Sequence, residues 1–363
     1  MCEIETDELG PLKFIRLHSE KAALRAFVVI DNIALGPAIG GVRVSPSVTA
    51  VEVRRLARTM TLKNSIAGLA HGGAKAGIAA DPKSPRKERY FRVFAKLIKE
   101  LVEFIPGPDM GSDEECMAWI YDETERALGL PEELGGLPLD KLGATGFGLA
   151  QCAEVACPFA GLDLKGARVS IQGFGSVGKA AARFLSQKGA VIIAASDTRG
   201  TAYNPDGMET AALIKIKEET GSVVNYSGGK RLGVDEIFAL ETDILIPAAT
   251  PDVITIENLN SLKAKMVLEG ANIPVTREAE KVLHERGVLS VPDFIANAGG
   301  VIMAAYEYEK RSERDAFEAI SEKIRKNTLL ILEKAKQENL LPRTAAEGLA
   351  LERVHQAQRY RDY

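Results

Sequence analysis

Two lysines stand where small and apolar residues dominate: Lys63 and Lys75, within TLKNSIAGLAHGGAKAGI at 61–78. A buried ammonium without an anionic partner is costly. Lys63 follows Met60 by three positions and Leu56 by seven, so on a helix the three lie within about 60° of one another. Either Lys63 meets an anion there, or the helix ends and the side chain snorkels to water. Lys75 sits in HGGAKAG, whose small neighbours leave room for a ligand. Burial there would lower its pKa and make it an acid or base near neutral pH. The plainer reading is an ordinary lysine on a surface loop. A third feature is Asp109 in PGPDMGSDEE, a Gly/Pro turn before an acidic helix start. Its plainer reading is a cap or turn carboxylate.

A second constellation is GFGSVG at 173–178. Gly173, Gly175 and Gly178 fit G-x-G-x-x-G, with Ser176 and Val177 between the last two. The motif follows an expected strand, ARVSIQ, and opens an expected helix, SVGKAAARFLSQKG. A second strand, AVIIAAS, then leads to Asp197. That order is a dinucleotide-binding fingerprint. Gly173 permits the tight turn, Gly175 lets the backbone approach a pyrophosphate, and Gly178 lets helix and strand pack closely. Free N–H groups at the helix start would meet the phosphates. Asp197 would accept hydrogen bonds from the adenosine ribose. It favours NAD over NADP, because a carboxylate repels a 2′-phosphate, and Arg199 partly offsets that.

The elements that must position these groups follow from pattern. TAVEVRRLARTMTLKN reads as a helix with Val53, Leu56, Ala57 and Met60 on one face and Arg54, Arg55 and Arg58 pointing away. Helices are expected at about 85–103 and 112–128, and GLPEELGGLPLDKLG reads as a linker. Beyond it, ARVSIQ, AVIIAAS, DILIPA and KMVLEG alternate with helical stretches, which indicates a parallel sheet covered on both faces. From about 293 the chain reads as helical.

Length and composition agree with this. The 363 residues suggest two domains, and 46 % apolar with 26 % charged residues excludes a disordered chain. A net charge of −4 implies no nucleic-acid face. No apolar run is long enough to span a bilayer, and the acidic start MCEIETDELG lacks the core of a signal peptide. Cys2, Cys116, Cys152 and Cys157 form no CxxC pair, and His18, His71, His284 and His355 are scattered. No metal site is expected, and the cysteines read as reduced thiols of a cytoplasmic protein.

The order of motifs resembles the glutamate/leucine/phenylalanine/valine dehydrogenase family of NAD(P)-dependent amino acid deaminases. The stretches that carry the resemblance are LGPAIGGVR, MTLKNSIAGLAHGGAKAG, PGPDMG, GATGFG, GFGSVG, IPAA, EGANIPVT and VPDFIANAGGV. It implies an α/β fold with an N-terminal substrate and oligomerisation domain, residues 1–138, joined by returning C-terminal helices, 330–363. A Rossmann doubly wound parallel-sheet domain would fill 139–329. Lys63 would pair with the substrate α-carboxylate, Lys75 would activate water, and Asp109 would carry protons to and from the amino nitrogen. Ile39, Gly40, Asn297 and Ala304 would border the substrate. Thr145 would contact the nicotinamide amide, and Ala248 and Asn272 its riboside. The resemblance further implies closure of the domains around the reactants and assembly into a homo-oligomer.

Substrate choice follows from two departures. Glutamate-specific members carry lysine within GPYKGG, where this chain has Ile39, and a polar group where it has Ala304. A γ-carboxylate there would lose its partners, at several kcal/mol in a dry pocket. The expectation is oxidative deamination of an apolar L-amino acid (leucine, valine, isoleucine, phenylalanine or tryptophan) to the 2-oxo acid and ammonia with NAD, NADP being the alternative cofactor. EGANIPVT and SDTRGTAYNPDG read more like glutamate dehydrogenases, so that activity is the second reading. A non-catalytic, amino-acid-sensing paralogue is the third.

Overall fold

Five strands form early in the chain, β3 and β4 rich in Ala, Gly, Val and Ile: β1 Lys13–Ser19, β2 Leu24–Asn32, β3 Ala38–Val44, β4 Gly72–Ile78 and β5 Phe104–Pro108. The structure, a computed structural model, describes residues 6–361. The strands pair in the order β1-β2-β4-β3-β5, with β3 parallel to β4 and β5, and β2 antiparallel to β1 and β4. Three helices accompany them: α1 Ala50–Ile66, α2 Lys87–Ile98 and α3 Glu114–Thr124. Alternate strand residues serve opposite faces. Ala74, Ala76, Ala38 and Val42 join Phe91, Phe94, Met117 and Ile120 in the larger core. On β4, Gly73, Lys75 and Gly77 belong to the opposite alternation. A side chain at Gly73 would collide with the Thr61 backbone of α1, and one at Gly77 would meet Val48 and Val53 at 2.8 Å. Glycine therefore lets α1 lie directly on β4.

Helix α1 departs from the expected pattern. Its buried stripe is Val53, Ala57, Thr61 and Asn64, while Leu56, Met60 and Lys63 form a half-buried flank. Lys63 therefore continues that flank rather than interrupting the buried stripe. Nor does Arg58 point to water: its Nε donates to buried Asp31 at 2.8 Å and its Nη2 to Asp7 at 2.7 Å.

The remaining strands are β6 Arg168–Gln172, β7 Val191–Asp197, β8 Gly200–Tyr203, β9 Lys230–Leu232, β10 Ile244–Pro247, β11 Met266–Leu268 and β12 Leu289–Val291. The helices are α4 Leu139–Leu142, α5 Ala144–Ala156, α6 Ser176–Gln187, α7 Thr210–Thr220, α8 Arg277–Glu285, α9 Asp293–Ala296, α10 Gly299–Tyr308, α11 Glu313–Glu338 and α12 Pro342–Gln358. The sheet order is β12-β11-β10-β6-β7-β8-β9. Its first five strands are parallel, as expected for a Rossmann sheet, but β8 and β9 are antiparallel. Only Thr198 and Arg199 separate β7 from β8, too few for the crossover a parallel pair needs.

Two compact units result: Met1–Pro138 with Val301–Ala316 and Glu347–Tyr363, and Leu139–Gly300 with Phe317–Ala346. The C-terminal division differs from the expected 330–363. In α11, Phe317 packs edge-on against Phe147 of α5, with ring centroids 5.0 Å apart, and Arg325 pairs with Glu154 at 2.5 Å. These contacts hold 317–346 in the second unit. Glu307 instead accepts the Leu130 and Leu137 N–H groups, at 3.0 and 3.1 Å, within the first.

Candidate active site

Lys75 lies on a buried strand, not on a surface loop. Every residue of β4 is buried, and the lysine side chain is only 8 % exposed. Its Nζ stands 3.1 Å from Asp109 Oδ2. Asp109 follows β5 in the turn before α3. The capping role open to it from sequence belongs instead to Asp113, which accepts the Cys116 N–H at 3.0 Å. The turn is held by Ser112: its hydroxyl accepts the Asp109 N–H at 2.8 Å and donates to Val42 O at 2.8 Å.

Arg43 completes the cluster and was not singled out from sequence. Its Nε donates to Asp109 Oδ2 at 3.0 Å, and its Nη1 pairs with Glu52 at 2.5 Å. An arginine two places after the GG of GPAIGG was the available signal. Burial pushes the Lys75 amine below its ordinary value, despite the pull of Asp109 in the other direction. Burial also opposes ionisation of Asp109, but Lys75 and Arg43 outweigh it and hold the carboxyl below its usual range. The result is an easily deprotonated lysine beside a stable carboxylate.

Gly41 packs directly against this pair. A Cβ built on Gly41 would lie 2.8 Å from Asp109 Cβ and 3.1 Å from Lys75 Nζ. Any side chain at Gly41 would press on the pair, and one at Gly40 would run into the β4 backbone at Ala74. Ile39, two residues before Gly41, is on the same side of β3 and 4 % exposed. Lys63 is half-buried in the last turn of α1. Ala304 is buried on α10.

In the second unit the carboxyl ends of the parallel strands gather the other candidates. Gly173 has φ +91°, and a side chain there would meet Ala249 at 2.6 Å. A side chain at Gly178 would collide with Gly173 O, whereas nothing lies within 4 Å of the Gly175 Cβ position, at the N-terminus of α6. Such a cradle, open in front of free helix N–H groups, suits a pyrophosphate. Ser176 and Val177 form the first turn of α6. The Ala248 N–H donates to Gln172 O at 2.7 Å, tying β10 to β6 where the strand order reverses. Ligands of open parallel sheets bind at that position. Asn297 Nδ2 donates to Asn272 Oδ1 at 3.1 Å. Half-buried Thr145, at the start of α5, abuts Gly300, whose Cβ position is 3.0 Å from Thr145 Oγ1.

The Asp197 carboxylate accepts four hydrogen bonds from the protein itself, from the Arg199 and Val223 N–H groups, Ser222 Oγ and Lys217 Nζ. It is not held out as a bare acceptor for ribose.

A buried polar cluster supports the loops that carry Asn272 and Asn297. Arg343 bonds Glu280 at 2.6 Å, Asp293 at 2.9 Å and Glu269 at 2.9 Å. Burial pushes Glu269 well above the usual carboxylate range, the nearby acids adding to this and Arg343 opposing it. Among the described residues no group of His, Cys, Asp and Glu could hold a metal ion. Cys116, Cys152 and Cys157 are free and buried; burial raises their thiols to about 12, 12 and 11. Cys2 lies outside the described residues. No helix among those residues is long and apolar enough to cross a membrane.

A Rossmann-type sheet with a glycine-rich phosphate cradle, together with a depressed lysine beside an aspartate, defines a dinucleotide-dependent oxidoreductase. Residues 14–126 match the Glu/Leu/Phe/Val dehydrogenase dimerisation domain and residues 135–362 the Glutamate/Leucine/Phenylalanine/Valine dehydrogenase domain, and the chain belongs to that family. It is an amino acid dehydrogenase that uses NAD or NADP. Among its relatives, a glutamate dehydrogenase of Aeropyrum pernix is 42 % identical, over 92 % of this chain and 85 % of that one. Among solved structures, a hetero-hexameric glutamate dehydrogenase of Thermus thermophilus in a leucine-bound form superimposes with a TM-score of 0.85, at 32 % identity. The match covers 97 % of this chain and 90 % of that one. An L-tryptophan dehydrogenase of Nostoc punctiforme gives a TM-score of 0.79 at 27 % identity, covering 97 % and 98 %.

The cradle yields a direct prediction. Gly178→Val should weaken dinucleotide binding at least about 100-fold by forcing the turn away from α6, while the first unit keeps its fold. Titration of intrinsic fluorescence with NADH and NADPH reads the loss.

Proposed function

We propose that this protein oxidatively deaminates an apolar L-amino acid to its 2-oxo acid and ammonia. Ile39 carries the substrate class: a buried aliphatic side chain lies on the strand face that bears Gly41 and Arg43. A γ-carboxylate beside it would be desolvated without a cation. Ala304, small and buried, adds to that reading.

The Lys75–Asp109–Arg43 geometry and the family resemblance support the following roles. Lys63 pairs with the substrate α-carboxylate. Asp109, kept ionised by Lys75 and Arg43, takes a proton from the substrate ammonium. The nicotinamide, when bound, accepts the α-hydrogen as hydride. Neutral Lys75 then removes a proton from water as its oxygen attacks the imino carbon. Asp109 returns its proton to the nitrogen; the C–N bond then breaks as the carbinol hydroxyl gives its proton back to Asp109, forming the 2-oxo acid and releasing ammonia. Arg43 fixes the Asp109 carboxylate, with Glu52 holding Arg43 from its other side. Gly173, Gly175, Ser176, Val177 and Gly178 bind the pyrophosphate, while Thr145, Ala248, Asn272 and Asn297 border the nicotinamide riboside. A homo-oligomer is supported by the match to the dimerisation domain. Three free, buried thiols suit a reducing compartment such as the cytoplasm.

Glutamate is the second reading, favoured by the names of the Aeropyrum and Thermus relatives. Ile39→Lys separates the two. In an apolar-substrate enzyme it should raise the glutamate-to-leucine ratio of kcat/KM by at least about 100-fold. In a glutamate enzyme that binds the γ-carboxylate elsewhere, the ratio should stay flat or fall.

A further inference from the structure

Two residues beyond the carboxyl ends of neighbouring strands hold left-handed backbone without being glycine. Asp252, after β10, has φ +54°, and Ile273, after β11, has φ +49°. A β-branched residue rarely adopts that conformation. The Ile273 side chain is exposed, so its own burial does not offset the strain. The two residues are bonded to each other, the Asp252 N–H donating to Ile273 O at 2.9 Å. The N–H groups of Gly270 and Ala271 donate to Pro247 O at 3.0 and 2.8 Å. The loops after β10 and β11 are thus locked together, and Asn272 stands immediately before the strained isoleucine.

Asp293 holds this arrangement. Its Oδ2 accepts the Ile273 N–H at 3.0 Å, and its backbone O accepts the Asn297 N–H at 2.8 Å. Asn297 in turn donates from Nδ2 to Ala271 O and to Asn272 Oδ1, both at 3.1 Å. One buried aspartate therefore fixes the backbone beside both asparagines. Its other oxygen, Oδ1, accepts from Arg343 Nη1 at 2.9 Å. Arg343 is itself held by Glu269 at 2.9 Å and Glu280 at 2.6 Å, so the guanidinium presents a fixed donor to Asp293. Glu280 shares that arginine from α8, a helix that carries neither asparagine.

We infer that Asp293 is a positioning residue for the nicotinamide end of the dinucleotide, oriented by Arg343. It keeps Ile273 in the left-handed region and so presents Asn272 and Asn297 together. Backbone strain kept in place by a buried network is characteristic of ligand clamps. This role rests on the placement of Asn272 and Asn297 at the nicotinamide riboside proposed above. The adenosine and pyrophosphate half of the ligand, held at the α6 cradle, does not depend on it.

Calorimetric titration of the full chain with the reduced dinucleotide, NADH or NADPH, and with ADP, which lacks the nicotinamide riboside, separates the two halves. Asp293→Ala leaves Arg343 paired with two acids. It should weaken the reduced dinucleotide at least about tenfold, as for a lost buried hydrogen bond to a charged group, while ADP affinity stays within about twofold. Asp293→Asn, which can still accept the Ile273 N–H, should move in the same direction by a smaller factor. Glu280→Gln, which weakens the hold on the same arginine but leaves Asp293 in place, should keep both affinities within about twofold. Parallel losses of both ligands, or an equal loss in Glu280→Gln, would reduce Asp293 to a structural role and overturn the inference. So would unchanged dinucleotide binding in Asp293→Ala where Asn272→Ala weakens it. If Asn272→Ala leaves it unchanged too, the placement of Asn272 falls and the inference with it.

Discussion

Lys75→Met should lower kcat for oxidative deamination by about 10²–10⁴-fold, the range associated with losing a positioned acid–base group. The fold should survive. Methionine approximates the lysine stem in volume, and Asp109 keeps its bond to Arg43 at 3.0 Å. Removing one partner of a buried ion pair ordinarily destabilises, but here Arg43 still compensates the Asp109 charge. The pH dependence gives a second signature. Because burial depresses the lysine, its neutral form appears below the ordinary value of 10.5, and wild-type turnover should rise with pH through that depressed value. The folded protein then binds fewer protons than the unfolded chain between the two values, so this group's contribution to stability also rises with pH there. In Lys75→Met both slopes should disappear. Rates and melting temperatures measured across neutral to alkaline pH, with dinucleotide binding as the control, check all three points. Unchanged turnover would remove Lys75 from the reaction.

Asp109→Asn is the second large effect. It removes the proton carrier, again at about 10²–10⁴-fold in kcat. It also acts on its neighbour, because the Asp109 charge is the main influence raising Lys75 against burial. With that charge gone, Lys75 should lose its proton at still lower pH, and the rising limb of the residual activity should move toward neutrality. A merely structural aspartate would lower the amount of folded enzyme without moving the limb.

Much of the site could be read from sequence because glycines and charges are informative in short windows. GFGSVG with its flanking strand and helix located the phosphate cradle, since each glycine answers a local steric demand. Lys75 and Asp109 stood out as ionisable groups among small residues. Their partnership could not be read: it depends on β4 and β5 both flanking β3, a long-range pairing that no window of the sequence contains. Arg43 and Glu52 were missed for the same reason. The α1 stripe was misjudged because Leu56 and Met60 suit a buried face by type, yet the sheet covers Val53, Ala57 and Thr61 instead. Asp197 shows the limit of motif logic. Its position fits a ribose acceptor, yet no motif discloses that Lys217, twenty residues further on, also bonds it. The antiparallel turn after β7 was legible in principle, because two residues cannot make a parallel crossover.

The most direct test of the substrate assignment is the initial rate at 340 nm with purified protein, NAD and NADP, each of the twenty amino acids and alkaline pH. Turnover of leucine, valine, isoleucine, phenylalanine or tryptophan is expected, with kcat/KM at least about 100-fold above that for glutamate. Preferred turnover of glutamate would contradict the reading of Ile39 while leaving the roles of Lys75 and Asp109 standing.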